Sequence, residues 1–310
     1  MNEVLSRLIT IIALLALGKL FRERNYLKSS TIDEIRKLIV NFSLPSVLFI
    51  SFVTKELSAD YYILFLFVFI MQVLFLLTSL AVNKIKWFSH PLLPLVSSGC
   101  SVIFIGIPLF LAVYGMEDLG KFTILSVGHE VYLWLFFYPW LRVKKEQQKF
   151  SLHEVLANIK SPLIISIALG IIINKLNIHA LLTGNIIYNG LFTTIELLGG
   201  LTVPVILIVL GYGISLNTEF IKESCKLVLM RMAIIFPVGY LFKYAVIDKI
   251  IAPDPVFNHA FFTFLVIPPP MVMPMIASMY ISEEVGKLAS NVIAVNTILS
   301  ILLYIIIVLV

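Results

Sequence analysis

The sequence predicts an all-α polytopic membrane protein of ten transmembrane helices, arranged as two inverted five-helix repeats. Composition comes first: 60% of the 310 residues are hydrophobic and only 13% are charged. Apolar runs are long and their polar joints short, which identifies a helical bilayer protein. At about 20 apolar residues per span plus connections, this length accommodates ten spans and leaves no room for a soluble domain. The third observation is an internal repeat, described below.

Taken in order, the first span covers residues 4–21. Glu3 precedes its first positive charge, and the run ends in Arg22-Glu23-Arg24 rather than in small residues suited to cleavage. It therefore reads as a retained span and not a signal peptide. The second, 39–53, is short; a capping-box pattern at Thr31 and Glu34 allows its helix to begin earlier, through Asp33 and Arg36. Spans three to five cover 62–82, 92–114 and 122–140, completing a first repeat over 1–141. Residues 142–160 form a cytoplasmic connector. Ser151 and Glu154 repeat the capping-box pattern before Val155, Leu156 and Ile159, so the connector holds either a short interfacial helix or a plain link. The second repeat, 161–310, has spans at 162–173, 187–214, 227–247, 259–280 and 289–310. The sixth is short and extends by snorkelling through Asn174 and Lys175.

Basic residues set the orientation. Sixteen Lys and Arg fall in loops on one side and five on the other, which puts both termini outside a plasma (cytoplasmic) membrane. The net charge of +5 reflects this bias and gives no argument for nucleic acid. The cluster from Arg142 to Lys149 suits anionic lipid.

Four prolines, Pro268, Pro269, Pro270 and Pro274, lie inside the ninth span. Each removes a backbone donor and clashes with the preceding turn, so the helix must break. At bilayer depth a break is tolerable only beside protein or an aqueous cavity, and usually marks a solute path; the alternative is a kink that only shapes packing.

The repeat is visible at an offset of 166 residues. Pro108 to Tyr114, followed by Glu117-Asp118-Leu119-Gly120-Lys121, matches Pro274 to Tyr280 followed by Glu283-Glu284-Val285-Gly286-Lys287. A second echo, at 159, sets Leu44-Pro45 against Val203-Pro204. Five spans per repeat is odd, so the second copy enters the membrane the opposite way, the plan of many secondary transporters.

Asn41-Phe42-Ser43-Leu44-Pro45 to Phe49, Ile105-Gly106-Ile107-Pro108-Leu109, Val203-Pro204 to Leu210-Gly211, Pro268-Pro269 and Asn296-Thr297-Ile298-Leu299-Ser300 carry a resemblance over essentially the whole chain. In order and spacing they resemble the auxin efflux carrier family, which includes plant PIN-type carriers and bacterial malate- or malonate-type permeases. Its fold is related to that of bile acid sodium symporters. The resemblance implies that spans four and nine are both broken and cross at mid-membrane, with solute bound there. It also implies a scaffold of spans one, two, six and seven, often a homodimer, against which spans three to five and eight to ten move as a transport domain. Gly106, Pro108, Pro268, Pro269, Pro270, Met271 and Asn296 thereby join the substrate-binding set. The chain departs from the family where Ser101 stands in the place of a common asparagine. No proline marks the break in span four, which then relies on Gly99 and Gly106. The crossing is poor in hydrogen-bonding side chains, which leaves room for a more apolar organic anion or for lost transport.

The residues themselves nominate Ser97, Ser98, Cys100 and Ser101 as small polar groups beside freed backbone; for any one of them, packing or bonding back to its own helix is the competing reading. In span five, Glu130 and His129 are ionisable at membrane depth. Glu130 either binds a coupling proton or sodium ion or only ties two helices together, and His129 is a further candidate for a proton-coupling role. Gln72 is a further candidate. Glu196, Arg231 and Lys243 lie near span ends and read as reaching the interfacial layer. Gly211-Tyr212-Gly213 suggests helix packing or termination rather than an ion filter.

Cys100 and Cys225 lie at different depths, and neither has the neighbours of a metal site. An enzyme would need a nucleophile with base and orienter, or a metal cluster, and His129 with Glu130 supplies neither. No cofactor is expected beyond a coupling ion. The expected function is carriage of a small organic anion, with a channel or a transporter-like sensor as the alternative.

Overall fold

The computed structural model describes residues 2–54, 59–141, 162–214, 216–252 and 254–309. Among them there are helices and no strands. Among the described residues six helical runs are long and apolar enough to cross a membrane: Ser29–Thr54, Ile63–Val82, Val102–Leu141, Ile186–Gly213, Thr218–Lys249 and Glu283–Val308. The protein is thus a multi-pass membrane protein by helix length and composition. The connector, with its Ser151–Glu154 pattern, lies outside the described residues.

The helices are α1 (Asn2–Glu23), α2 (Ser29–Leu38), α3 (Leu44–Thr54), α4 (Ala59–Val82), α5 (Leu93–Ser97) and α6 (Ile107–Val131). They continue as α7 (Pro162–Lys175), α8 (Ile178–Leu182), α9 (Ile186–Gly200), α10 (Thr202–Gly213), α11 (Ile221–Ala245), α12 (Pro255–Val266), α13 (Met273–Tyr280) and α14 (Glu283–Leu309). Wider π-helical turns at Ile39–Ser43, Val102–Gly106 and Tyr132–Phe137 join or extend several of them.

Several boundaries differ from expectation for local reasons. α2 begins at Ser29, and its N-cap, Lys28, makes no side-chain cap bond, so Thr31 lies inside the helix and the expected capping box does not form. Span nine is two helices, α12 and α13. Spans four and five share one helical run that turns at Gly115, whose φ of 74° lies in the left-handed region open to glycine. Cys225, which precedes the expected eighth span at 227–247, lies in α11, because that helix starts six residues before the apolar run does.

Chain contacts separate two compact units. The first comprises Met1–Ser58, Ile107–Thr123 and Ser151–Gly213. Within it α1 packs on α10 with backbones almost touching. A Cβ on Gly18 would collide with the Ile208 carbonyl, and one on Gly211 with that of Leu15. Such contact is how helices associate in lipid, where no hydrophobic drive pulls them together. α7 packs on α3 through Gly170, and Asn174 Nδ2 donates to Val53 O at 2.8 Å. The Tyr212 hydroxyl donates to Leu27 O at 3.1 Å, so the Gly-Tyr-Gly string finishes a helix and ties down a loop.

The second unit comprises Ala59–Gly106, Ile124–Phe150 and Ile214–Val310. Leu92, Val96, Tyr132, Phe137, Val228, Met273, Ala289 and Val292 are part of its buried core. Asn291, on α14, ties the start of α11 in place: its Oδ1 accepts from Asn217 N–H at 2.7 Å and its Nδ2 donates to Ser224 Oγ at 3.0 Å. All of the polar cluster described next belongs to this unit.

Candidate functional site

In an α-helix each carbonyl pairs with the N–H four residues on. Phe264, Leu265 and Val266 would need the N–H groups of Pro268, Pro269 and Pro270, which have none. α12 therefore ends at Val266, and the chain resumes as a helix at Met273 with Pro274 in the first turn. One freed carbonyl finds a side chain: Ser300 Oγ, on α14, lies 2.6 Å from Val266 O and 2.7 Å from Asn296 O. The same oxygen accepts from Asn296 Nδ2 at 3.1 Å.

The break between α5 and the π-helical turn at Val102 has no proline, and side chains from elsewhere complete it. Ser98 turns its hydroxyl back onto Pro94 O. Cys100 N–H donates to His129 Nε2 at 2.9 Å. Ser101 N–H donates to Pro268 O at 2.7 Å, a direct backbone bond between the two breaks. Gly99 permits the approach, since a Cβ there would stand 2.9 Å from Pro270 Cγ.

Arg231 occupies the centre of this arrangement. Its side chain is completely buried, with Nε 2.8 Å from Val96 O and Nη1 3.4 Å from Asn296 Oδ1. Nη2 lies 3.3 Å from Gly99 O and 3.5 Å from Cys100 Sγ. Among the described residues no carboxylate pairs with it. The expectation that Arg231 reaches an interfacial layer is thus overturned. α11 begins at Ile221, with polar residues through Lys226, so Arg231 lies about 15 Å along it at 1.5 Å per residue. Lys243, also expected to snorkel, is 7% exposed and pairs with Asp248 at 2.6 Å.

His129 has both ring nitrogens engaged. Nε2 accepts from the Cys100 amide, so in the neutral ring Nδ1 carries the proton and donates to Glu130 Oε1 at 3.2 Å. Trp134 Nε1–H donates to Glu130 Oε2 at 2.8 Å. Glu130 is therefore held at both oxygens, and it is linked to the break through the imidazole.

Around the two breaks the buried hydroxyls of Ser97 and Ser101 have no hydrogen-bond partner, and the Gln72 amide and Tyr132 hydroxyl make no bond of good geometry. Gln72 lies beside the Cys100 thiol, and Tyr132 lies beside Ser98. Native proteins leave few buried polar groups unpaired, because each costs about 1–3 kcal/mol. Such a concentration is a candidate for a ligand's own donors and acceptors.

Ser97, Ser98, Cys100, Ser101, Gln72, His129, Pro268, Pro270 and Asn296 are thus brought into one connected region, through contacts that also involve Gly99 and Arg231. Pro269 is buried within the same break, Met271 is half-buried against the core, and Gly106 donates its N–H to Ser101 O at 3.1 Å. Pro108 belongs to the first unit, in the first turn of α6. The sequence reading underrated Arg231 and omitted Ser300 and Tyr132. A cation inside a long helix was the available signal for the first. For Ser300 it was the i, i+4 spacing from Asn296.

Among the described residues no group of three or more His, Cys, Asp or Glu side chains is placed to hold a metal ion. No protein-family model matches the chain, and no curated protein matches it significantly.

Proposed function

We propose that the protein is a secondary carrier of small organic anions, most simply carboxylates, in the manner of the auxin efflux carriers that its motifs resemble. Solute binds where the two broken helices meet, and the second unit carries it across the bilayer past the first, which acts as a scaffold and dimerises. The observation that carries this reading is the crossing itself: two breaks joined by Ser101 N–H to Pro268 O, surrounded by buried polar atoms without partners. In lipid, broken helices and ionisable side chains are costly, and function is the usual reason for them.

The repeat supports the inverted five-plus-five plan. The stretch from Ile107 to Tyr114 before the turn at Gly115, and α13 from Met273 to Tyr280, both run eight residues at the 166 offset, each with proline in the first turn. At that offset Glu130 and Trp134 correspond to Asn296 and Ser300, and each pair is hydrogen-bonded. The division into two units also parallels a scaffold and a moving domain, with residues 107–123 grouped in the first.

The test is current from purified protein in proteoliposomes on a solid support, during jumps of a panel of organic anions with pH and sodium varied independently. A saturable current for some anions and not others is expected, and its dependence on pH or sodium identifies the coupling ion. Non-saturating, unselective flux identifies a channel. Binding without current or radiolabelled uptake identifies a sensor on the same fold.

A further inference from the structure

Building on the crossing as the solute site, we propose that Arg231 is the counter-charge for the carried anion, and that it restricts the site to solutes with a single carboxylate. The reasoning starts from cost. A guanidinium taken out of water is tolerated when it is paired or satisfied by good hydrogen bonds. Among the described residues it meets only neutral acceptors, Val96 O, Gly99 O, Asn296 Oδ1 and Cys100 Sγ. Satisfying freed carbonyls does not require a charge, since the Ser300 hydroxyl does so at the other break. A positive charge at the span-four break therefore needs another reason.

The geometry supplies one. Only the Nε bond, at 2.8 Å, is short; the Nη1 and Nη2 contacts run from 3.3 to 3.5 Å, at or beyond the weak end of normal bonding. The two terminal nitrogens, which form a fork matched to a carboxylate, are thus loosely held while Nε anchors the side chain. Ser101 and Ser97 have unpaired hydroxyl donors for a carboxylate's remaining lone pairs, with Gln72 and Tyr132 only loosely placed against Cys100 and Ser98 beside them. Only one other Lys or Arg side chain among the described residues is buried, Lys243, and it is already paired with Asp248. A second carboxylate on the solute would enter this dry region without a counter-charge. The rest of the break, Pro268 to Pro270 and Met271, offers an apolar surface to the solute's body.

The experiment measures calorimetric binding of three probes of similar size, benzoate, the neutral benzamide and the dicarboxylate phthalate, to purified protein in nanodiscs. Wild type is expected to prefer benzoate over each of the others by about tenfold or more, the scale of a charge-assisted bond. Arg231→Gln is expected to abolish the preference over benzamide. A packing role alone would weaken all three probes and leave their ratios unchanged. Arg231→Lys keeps the charge and loses the fork, so its preference survives with benzoate about threefold or more weaker. If Arg231→Gln does not elute as a single folded species, the lysine variant decides: unchanged benzoate affinity overturns the proposal. It is equally overturned by wild type that binds none of the probes, favours phthalate or does not distinguish benzamide, and by an Arg231→Gln protein that still prefers benzoate. Uptake on the same proteins separates this proposal from the carrier reading. Saturable benzoate flux unchanged in Arg231→Gln removes Arg231 and leaves the carrier. Charge-selective binding without flux of any anion removes the carrier and leaves an anion site at Arg231.

Discussion

Gly99 leaves no room for a side chain between the two breaks. Its missing side chain lets Pro270 come within van der Waals range, with His129 Nε2 3.4 Å from where a Cβ would stand. Gly99→Val should separate the two breaks, strain the Ser101 to Pro268 bond and reduce anion uptake at least about tenfold, the loss expected when reacting or binding groups move by an ångström. Uptake assays on folded protein check this. Glu130, held by His129 and Trp134, is the acid closest in the bonding chain to the break. If it couples protons, Glu130→Gln abolishes pH-driven uptake and spares exchange between equal anion pools; unchanged proton dependence removes that role. His90 gives a separate pH signature outside the spans. Its Nδ1 accepts from Leu92 N–H and its Nε2–H donates to Glu223, and burial lowers its pKa below 6.5 against the opposing pull of Glu223. A depressed histidine pKa means that the unfolded chain binds the proton more readily. Stability is therefore lost as pH falls from 6.5 towards the folded-state pKa, with a slope of at most about 1.4 kcal/mol per pH unit for one proton. Thermal melts between pH 8 and 5 should show His90→Gln with a shallower decline than wild type.

Helix ends at the breaks depend on partners far away in sequence. Ser300→Ala removes the hydroxyl on Val266 O and should cost about 1–3 kcal/mol, read as a lowered melting temperature, because the carbonyl has no proline N–H to replace it. In the first unit Gly211→Leu should separate α10 from α1 by a larger margin than any side-chain adjustment absorbs, since the colliding atom is the Leu15 backbone carbonyl. At this scale the sequence was most legible where chemistry is local. The missing donors of Pro268 to Pro270 predict the α12 end without reference to any other residue. What completes a break was not legible: Arg231, His129 and Ser300 lie 135, 29 and 34 residues from carbonyls or amides they satisfy. Arg231 was misjudged because the apolar run at Leu227 gave the apparent helix start, whereas α11 adds the polar turns from Ile221.

For the whole molecule, composition alone reached the membrane class, and repeat spacing matched helix ends as well as residues, as the eight-residue stretches from Ile107 and Met273 show. An organic anion was already the expectation from the family resemblance; the proposed limit to one carboxylate rests on Arg231, whose burial beside the span-four break is visible only in the fold. The central claim is that an anion is bound there and carried by alternating access. Counterflow in proteoliposomes tests it most directly: vesicles are loaded with unlabelled benzoate and labelled benzoate is added outside. A carrier predicts transient, saturable accumulation of label above its external concentration, driven by the unlabelled pool. Entry that only equilibrates, at a rate linear in concentration and indifferent to the internal load, contradicts the account.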